Sequence, residues 1–217
     1  EIKSVSVDGV ETKNWWLGPE QPFMGVPLEV EVTDSSKQVS ISYATTSGAE
    51  ALQWLSPHQT AGKEHPFLFT QSQAILARTW LPCQDSPGIR YTYEATVHVP
   101  KDLMALMSAT NPTQLDTSGV YHFRMDQPIP SYLMALSVGN LEFESVGDRT
   151  GVYAEPSILA TATYEFADMQ KMLEAAEKLY GPYAWERYDV IVLPPSFPFG
   201  GMENPRLTFA TPTILAG

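Results

Sequence analysis

The chain has 217 residues, 43% of them hydrophobic, enough to build one large domain or two small ones and unlike a disordered sequence. Its 25 acidic and 13 basic residues give a net charge of −12, which argues against nucleic acid and anionic membrane surfaces as partners, since both are met by clustered Lys and Arg. A single cysteine, Cys83, excludes an internal disulfide and a cysteine-based zinc site, and no run of residues approaches the ~20 apolar positions of a membrane span.

The first part of the chain has the two-residue period of β-strands. Ile2, Val5 and Val7 precede Asp8-Gly9, a hairpin-turn dipeptide. Leu28, Val30 and Val32 alternate with polar residues, as do Val39, Ile41 and Tyr43. In RYTYEATVHV, Tyr91, Tyr93, Ala95, Val97 and Val99 face one way, and Arg90, Thr92, Glu94, Thr96 and His98 the other. VYHFRM (120–125) and LMALSV (133–138) predict two more strands, the second apolar on both faces and so interior to a sheet.

After about Gly139 the period becomes helical. In TATYEFADMQKMLEAAEKLYGP, Phe166, Met169, Leu173, Ala176 and Tyr180 fall on one face of a single helix, which Thr161 or Thr163 caps and Gly181-Pro182 ends. YDVIVLP (188–194) reads as a short buried strand and RLTFAT (206–211) as another. The reading is mainly β: a β-rich N-terminal domain of residues 1–141, then the incomplete beginning of a mixed α+β domain in 142–217.

Between those last two strands lies PSFPFGGMENP, residues 195–205. Two glycines leave backbone N–H and C=O groups uncovered, so another chain can approach and pair as an added strand. A carboxylate at the end of that edge, Glu203, can meet the α-ammonium of such a peptide and count from its N-terminus. Taken alone, the same residues also describe a tight turn followed by a solvated acid.

GGMEN after a strand and a proline-rich turn resembles the Gly-x-Met-Glu-Asn motif of the gluzincin zinc aminopeptidases. KEHPFLFTQSQAI (63–75), LPCQDSPGIRYTYEA (81–95) and residues 192–217 resemble the leukotriene-A(4) hydrolase branch. Sibling branches tend to have an aromatic residue and DEP where this chain has PCQDSP. The resemblance runs from about Ala51 onward and implies a β-rich saddle or sandwich domain followed by a thermolysin-like catalytic domain. It implies zinc-dependent removal of N-terminal residues from peptides, with Glu203 binding the α-amine and Pro198, Phe199, Gly200, Gly201 and Met202 forming the strand beside the substrate. Phe199 stands where the branch often has Tyr, so an aromatic wall remains without its hydroxyl. Gln71, Ser72 and Gln73 match the segment that reaches the substrate's N-terminal end, where Gln73 helps Glu203. By pattern alone, Gln71 and Gln73 are outward-facing positions of a strand. Cys83 reads as a buried, inert thiol.

The family's His-Glu-x-x-His motif, which sets two zinc ligands on one helical face, is absent. His58, His65, His98 and His122 are not at that spacing, with the first two expected in loops and the others on strands. The zinc motif is expected after Gly217, so zinc belongs to a full-length parent, and the chain alone is expected to bind no metal and to be inactive. The branch can also hydrolyse a lipid epoxide, through residues mostly outside this chain. The alternative is a catalytically dead relative that only binds peptides or partners. A cytoplasmic location is expected, with the periplasm as the alternative.

Overall fold

The computed structural model describes residues 1–216. Two compact units emerge, one of residues 1–50 with 78–83, the other of 51–77 with the chain from Gln84 onward. In the first unit, β1 (Ile2–Val7), β2 (Val10–Thr12), β3 (Trp15–Leu17), β4 (Leu28–Val30) and β5 (Val39–Tyr43) follow in order. They form a sheet ordered β2-β1-β5 and a separate β3-β4 ribbon. Asp8 (φ 48°) and Gly9 (φ 81°) both take positive φ, the requirement of a type I′ hairpin between β1 and β2. Val32 lies outside β4 and is exposed, so the predicted alternation stops at Val30.

The second unit begins with β6 (Leu52–Leu55), β7 (Phe67–Thr70), β8 (Arg90–His98), β9 (Met104–Met107), β10 (Val120–Pro130) and β11 (Leu136–Gly139). β8 and β10 pair as a long antiparallel ribbon, and β8 alternates half-buried with exposed residues along its whole length, as its sequence predicts. β11 is interior to the sheet β6-β7-β11-β9, as the run 133–138 predicts, but it begins only at Leu136, because Leu133 closes a 3-10 turn.

β12 (Glu142–Gly147), β13 (Thr150–Ala154), α1 (Pro156–Glu165), α2 (Met169–Tyr180), β14 (Tyr188–Val192), β15 (Gly201–Met202) and β16 (Leu207–Ala210) complete the order. The five strands form one sheet, β12-β13-β14-β16-β15, parallel in its middle and antiparallel at both edges. One face, with Val152, Ala154, Val190, Val192 and Ala210, packs against Ala162 of α1 and Met169 of α2. Phe209, on β16, meets Phe197 edge-on at 6.2 Å, and Phe197 meets Phe69 of β7 at 5.6 Å. Each of these buried rings contributes about 1.5–3 kcal/mol by leaving water. This aromatic chain anchors the segment that leads into β15.

The single predicted helix is two. It starts at Pro156, where proline fits the first helical turn, and breaks at residues 166–168 before resuming at Met169. Met169 and Leu173 are buried as expected, whereas Ala176 and Tyr180 are exposed. Gly181, with φ 95°, ends α2. Cys83 is half-buried rather than buried.

Candidate functional site

Residues 193–211 fold back on the sheet edge in a series of backbone hydrogen bonds. Leu193 N–H donates to Ala210 C=O at 2.9 Å, Phe197 N–H to Pro194 C=O at 3.1 Å, and Thr211 N–H to Gly200 C=O at 3.2 Å. β15 then pairs with β16, Gly201 opposite Ala210 and Met202 opposite Phe209. β15 is the outermost strand of its sheet, so its second edge carries no strand among the described residues. A Cβ on Gly201 would stand 3.1 Å from the Phe209 carbonyl oxygen, a tight approach, while a Cβ on Gly200 would meet nothing within 4 Å.

Exposure alternates along this strand. Gly201 and Glu203 face solvent and Met202 is buried, with Asn204 buried behind them. Pro198, Phe199 and Gly200 are exposed at its start. Among the described residues no hydrogen bond or ion pair holds the Glu203 carboxylate. The acid at the end of the open edge is therefore available to a cation.

The 71–73 segment reaches the same strand. β7 stops at Thr70, and Gln71 and Ser72 are both buried, so they do not alternate as outward strand positions would. Gln71 N–H donates to Ala51 C=O at 2.8 Å, and its Nε2 donates to Met202 Sδ at 3.7 Å. Among the described residues the buried Gln71 Oε1 has no hydrogen-bond partner. Gln73 is exposed. Gln71 is thus brought into contact with Met202, the residue before Glu203.

Glu203 also lines a cavity of about 540 Å³, with Arg90, Tyr132, Tyr183, Trp185 and Tyr188 among its walls. Burial pushes the Tyr183 hydroxyl up to about 12, opposed in part by a hydrogen bond from the Arg206 backbone. Burial also raises Asp189 against the pull of its partner Arg187, 2.8 Å away. Arg90 and Tyr188 begin strands that the sequence predicts, whereas Tyr183 and Trp185 sit between α2 and β14 with no strand or helix period of their own. Arg206, directly after the loop, is a further buried residue that pattern does not single out.

The four histidines are scattered. His58 lies in a single 3-10 turn, His65 sits 3.2 Å from Asp102, and His122 on β10 contacts Thr96 on β8 at 3.1 Å. His98 ends β8. Among the described residues no three His, Cys, Asp or Glu side chains converge as a metal site, so this donor set does not fit a zinc ion. No helix among the described residues is long and apolar enough to cross a membrane.

Comparison with known proteins assigns most of the chain to two family models. Residues 1–133 match the Peptidase M1 N-terminal domain and residues 164–217 the Peptidase family M1 domain. Leukotriene A-4 hydrolase of Xenopus laevis is 49% identical over 100% of this chain and 37% of its own length. Human aminopeptidase B is 48% identical over 83% of this chain and 28% of its own length. The native yeast LTA4 hydrolase structure superposes with a TM-score of 0.92 at 34% identity, covering 99% of this chain and 34% of that one. The chain thus spans roughly a third of the length of these relatives. It has the mainly β architecture of a leukotriene A4 hydrolase-like N-terminal domain followed by the start of the catalytic domain. The chain belongs to peptidase family M1.

Proposed function

We propose that this chain is the amine-recognising part of a zinc-dependent aminopeptidase that removes N-terminal residues from peptides. The observation that carries the reading is the edge of β15, open among the described residues, which ends on an exposed carboxylate with no partner among them. A peptide lying along Gly200, Gly201 and Met202 adds a strand to the sheet through backbone hydrogen bonds. Glu203 then pairs with its α-ammonium, and Gln73 assists from the segment that Gln71 ties to Met202. Fixing the amine fixes which peptide bond is presented, so only the first is cleaved. Residues 1–141 act as the β-rich domain and 142–217 as the opening of the catalytic domain. The zinc ligands and the water-activating base belong to the remainder of the enzyme, and this chain alone binds peptide ends without cleaving them.

The test is Glu203→Gln in the whole enzyme, assayed with a peptide and with the same peptide N-acetylated. The kcat/KM for the free-amine peptide is expected to fall about 100-fold, mainly through KM, the loss of a charge-assisted hydrogen bond of ~3 kcal/mol, with zinc content unchanged. The acetylated peptide is expected to be a poor substrate of both forms. An unchanged kcat/KM would mean that Glu203 does not bind the amine, and loss of zinc and fold together would make it structural.

A further inference from the structure

Glu203 is held in place by backbone alone. No side chain among the described residues bonds its carboxylate, so its position depends on the strand before it and the turn after it. On the strand side, Met202 is buried against Gln71. On the turn side, Leu207 N–H donates to Asn204 C=O at 3.2 Å and closes the four-residue turn Asn204, Pro205, Arg206, Leu207. Arg206 takes φ 67° at the third position of this turn. Proline second and positive φ third describe a type II turn, in which glycine is the unstrained third residue. A side chain with a Cβ there is strained.

An arginine occupies that position, and it is buried, only 6% exposed. Its Nη1 donates to Thr110 Oγ1 at 3.2 Å, and its Nη2 donates to Glu186 Oε2. Thr110 is bonded in turn, its N–H donating to the Arg124 carbonyl of β10 at 3.2 Å. Glu186 lies in the segment between α2 and β14. One guanidinium therefore joins the β15–β16 hairpin to two segments distant in sequence. A strained residue persists where its surroundings over-determine it, and here the side-chain contacts supply the reason.

We infer that Arg206 is a positioning residue for Glu203. Its clamp on Thr110 and Glu186 sets where the hairpin presents the carboxylate to a substrate's α-ammonium. The inference rests on the amine-recognition reading above. Arg206 itself does not contact the substrate. Lysine cannot replace it, because a single ammonium does not reproduce the two-pronged fork.

The experiment measures kcat and KM of the whole enzyme for a free-amine dipeptide, with Arg206→Gly, Arg206→Lys, Glu186→Gln and Glu203→Gln. Glycine relieves the turn while removing the clamp, so Arg206→Gly separates positioning from folding. A roughly tenfold rise in KM with kcat within about twofold is expected, since amine binding is shared by ground and transition states. Arg206→Lys is expected to resemble Arg206→Gly, and Glu186→Gln to shift KM in the same direction by less. If Arg206→Gly fails to fold, Glu186→Gln decides alone, because Glu186 is mostly exposed and its substitution removes one prong of the clamp without changing the turn residue. An unchanged KM in the folded variant overturns the inference. If Glu203→Gln raises KM and Arg206→Gly does not, only the positioning role falls. If Glu203→Gln leaves KM untouched, the amine-recognition reading falls with it.

Discussion

Gln71 and Met202, 131 residues apart in sequence, meet through a hydrogen bond from the Gln71 Nε2 to the Met202 Sδ. The contact joins the end of β7 to the edge strand β15, and both side chains are buried. It places the glutamine segment one residue from Glu203. Met202→Leu keeps the volume and removes the sulfur acceptor, leaving the buried amide unsatisfied; Gln71→Ala removes the donor. In a double-mutant cycle read by chemical denaturation, the two are expected to couple by about 0.5 kcal/mol or more. Strict additivity would mean that the two segments are held together by their surroundings instead.

Glu155 makes a second long-range tie. Its buried carboxylate accepts backbone N–H bonds from Ala61 at 2.7 Å and Gly62 at 3.1 Å, and it immediately precedes α1. Glu155→Ala leaves two backbone donors without partners and is expected to destabilise the protein by roughly 2–4 kcal/mol. Glu155→Gln retains one acceptor and is expected to lose less. A denaturation midpoint unchanged in Glu155→Ala would show that the 61–62 segment finds other partners.

The strands were the most legible part of this chain. Period two in residues 90–98 corresponds to a half-exposed ribbon, and the apolar run 133–138 to an interior strand that begins only at Leu136, because burial on one or both faces writes itself into adjacent side chains. β12 and β13 were not legible. Thr150, Gly151 and Val152 are buried together, and Gly151 packs against the Phe143 ring, so no alternation marks the strand. The helix break at 166–168 also has no breaker residue: neither glycine nor proline stands there. The two glycines and the acid of the loop before β16 are visible in GGMEN, yet the Gln71–Met202 contact and the Arg206 bonds to Thr110 and Glu186 are tertiary and leave no local signature.

Glu177 gives the stability an acid dependence. The Arg149 guanidinium, 2.6 Å away, together with the Tyr183 N–H, lowers the Glu177 carboxyl from its usual 4.5 to about 2. A carboxylate that is more acidic in the folded state stabilises it above the unfolded value and loses that contribution as pH falls toward the folded value. The melting temperature of Glu177→Gln is therefore expected to lie below wild type near neutral pH. The gap is expected to close as pH falls from about 4.5 toward 2. A gap independent of pH would assign the effect of the substitution to packing rather than to the ion pair.

Gly200 and Gly201 are neighbours with different physical roles, which makes them a paired test of the open edge. A methyl group at Gly201 meets the Phe209 carbonyl oxygen at 3.1 Å, so Gly201→Ala must push β15 from β16. It is expected to destabilise the protein by on the order of 1 kcal/mol, in the lower range of overpacking, and to weaken substrate binding as the edge shifts. A methyl group at Gly200 meets nothing within 4 Å, and this glycine has no positive φ. Gly200→Ala is expected to leave stability unchanged or slightly raised, because it restricts the unfolded chain. The space it fills is space that an added peptide strand would use, so KM for peptides is expected to rise while the melting temperature does not fall. If Gly200→Ala leaves KM untouched, peptides do not approach the edge at that residue, and the site of strand addition must begin at Gly201.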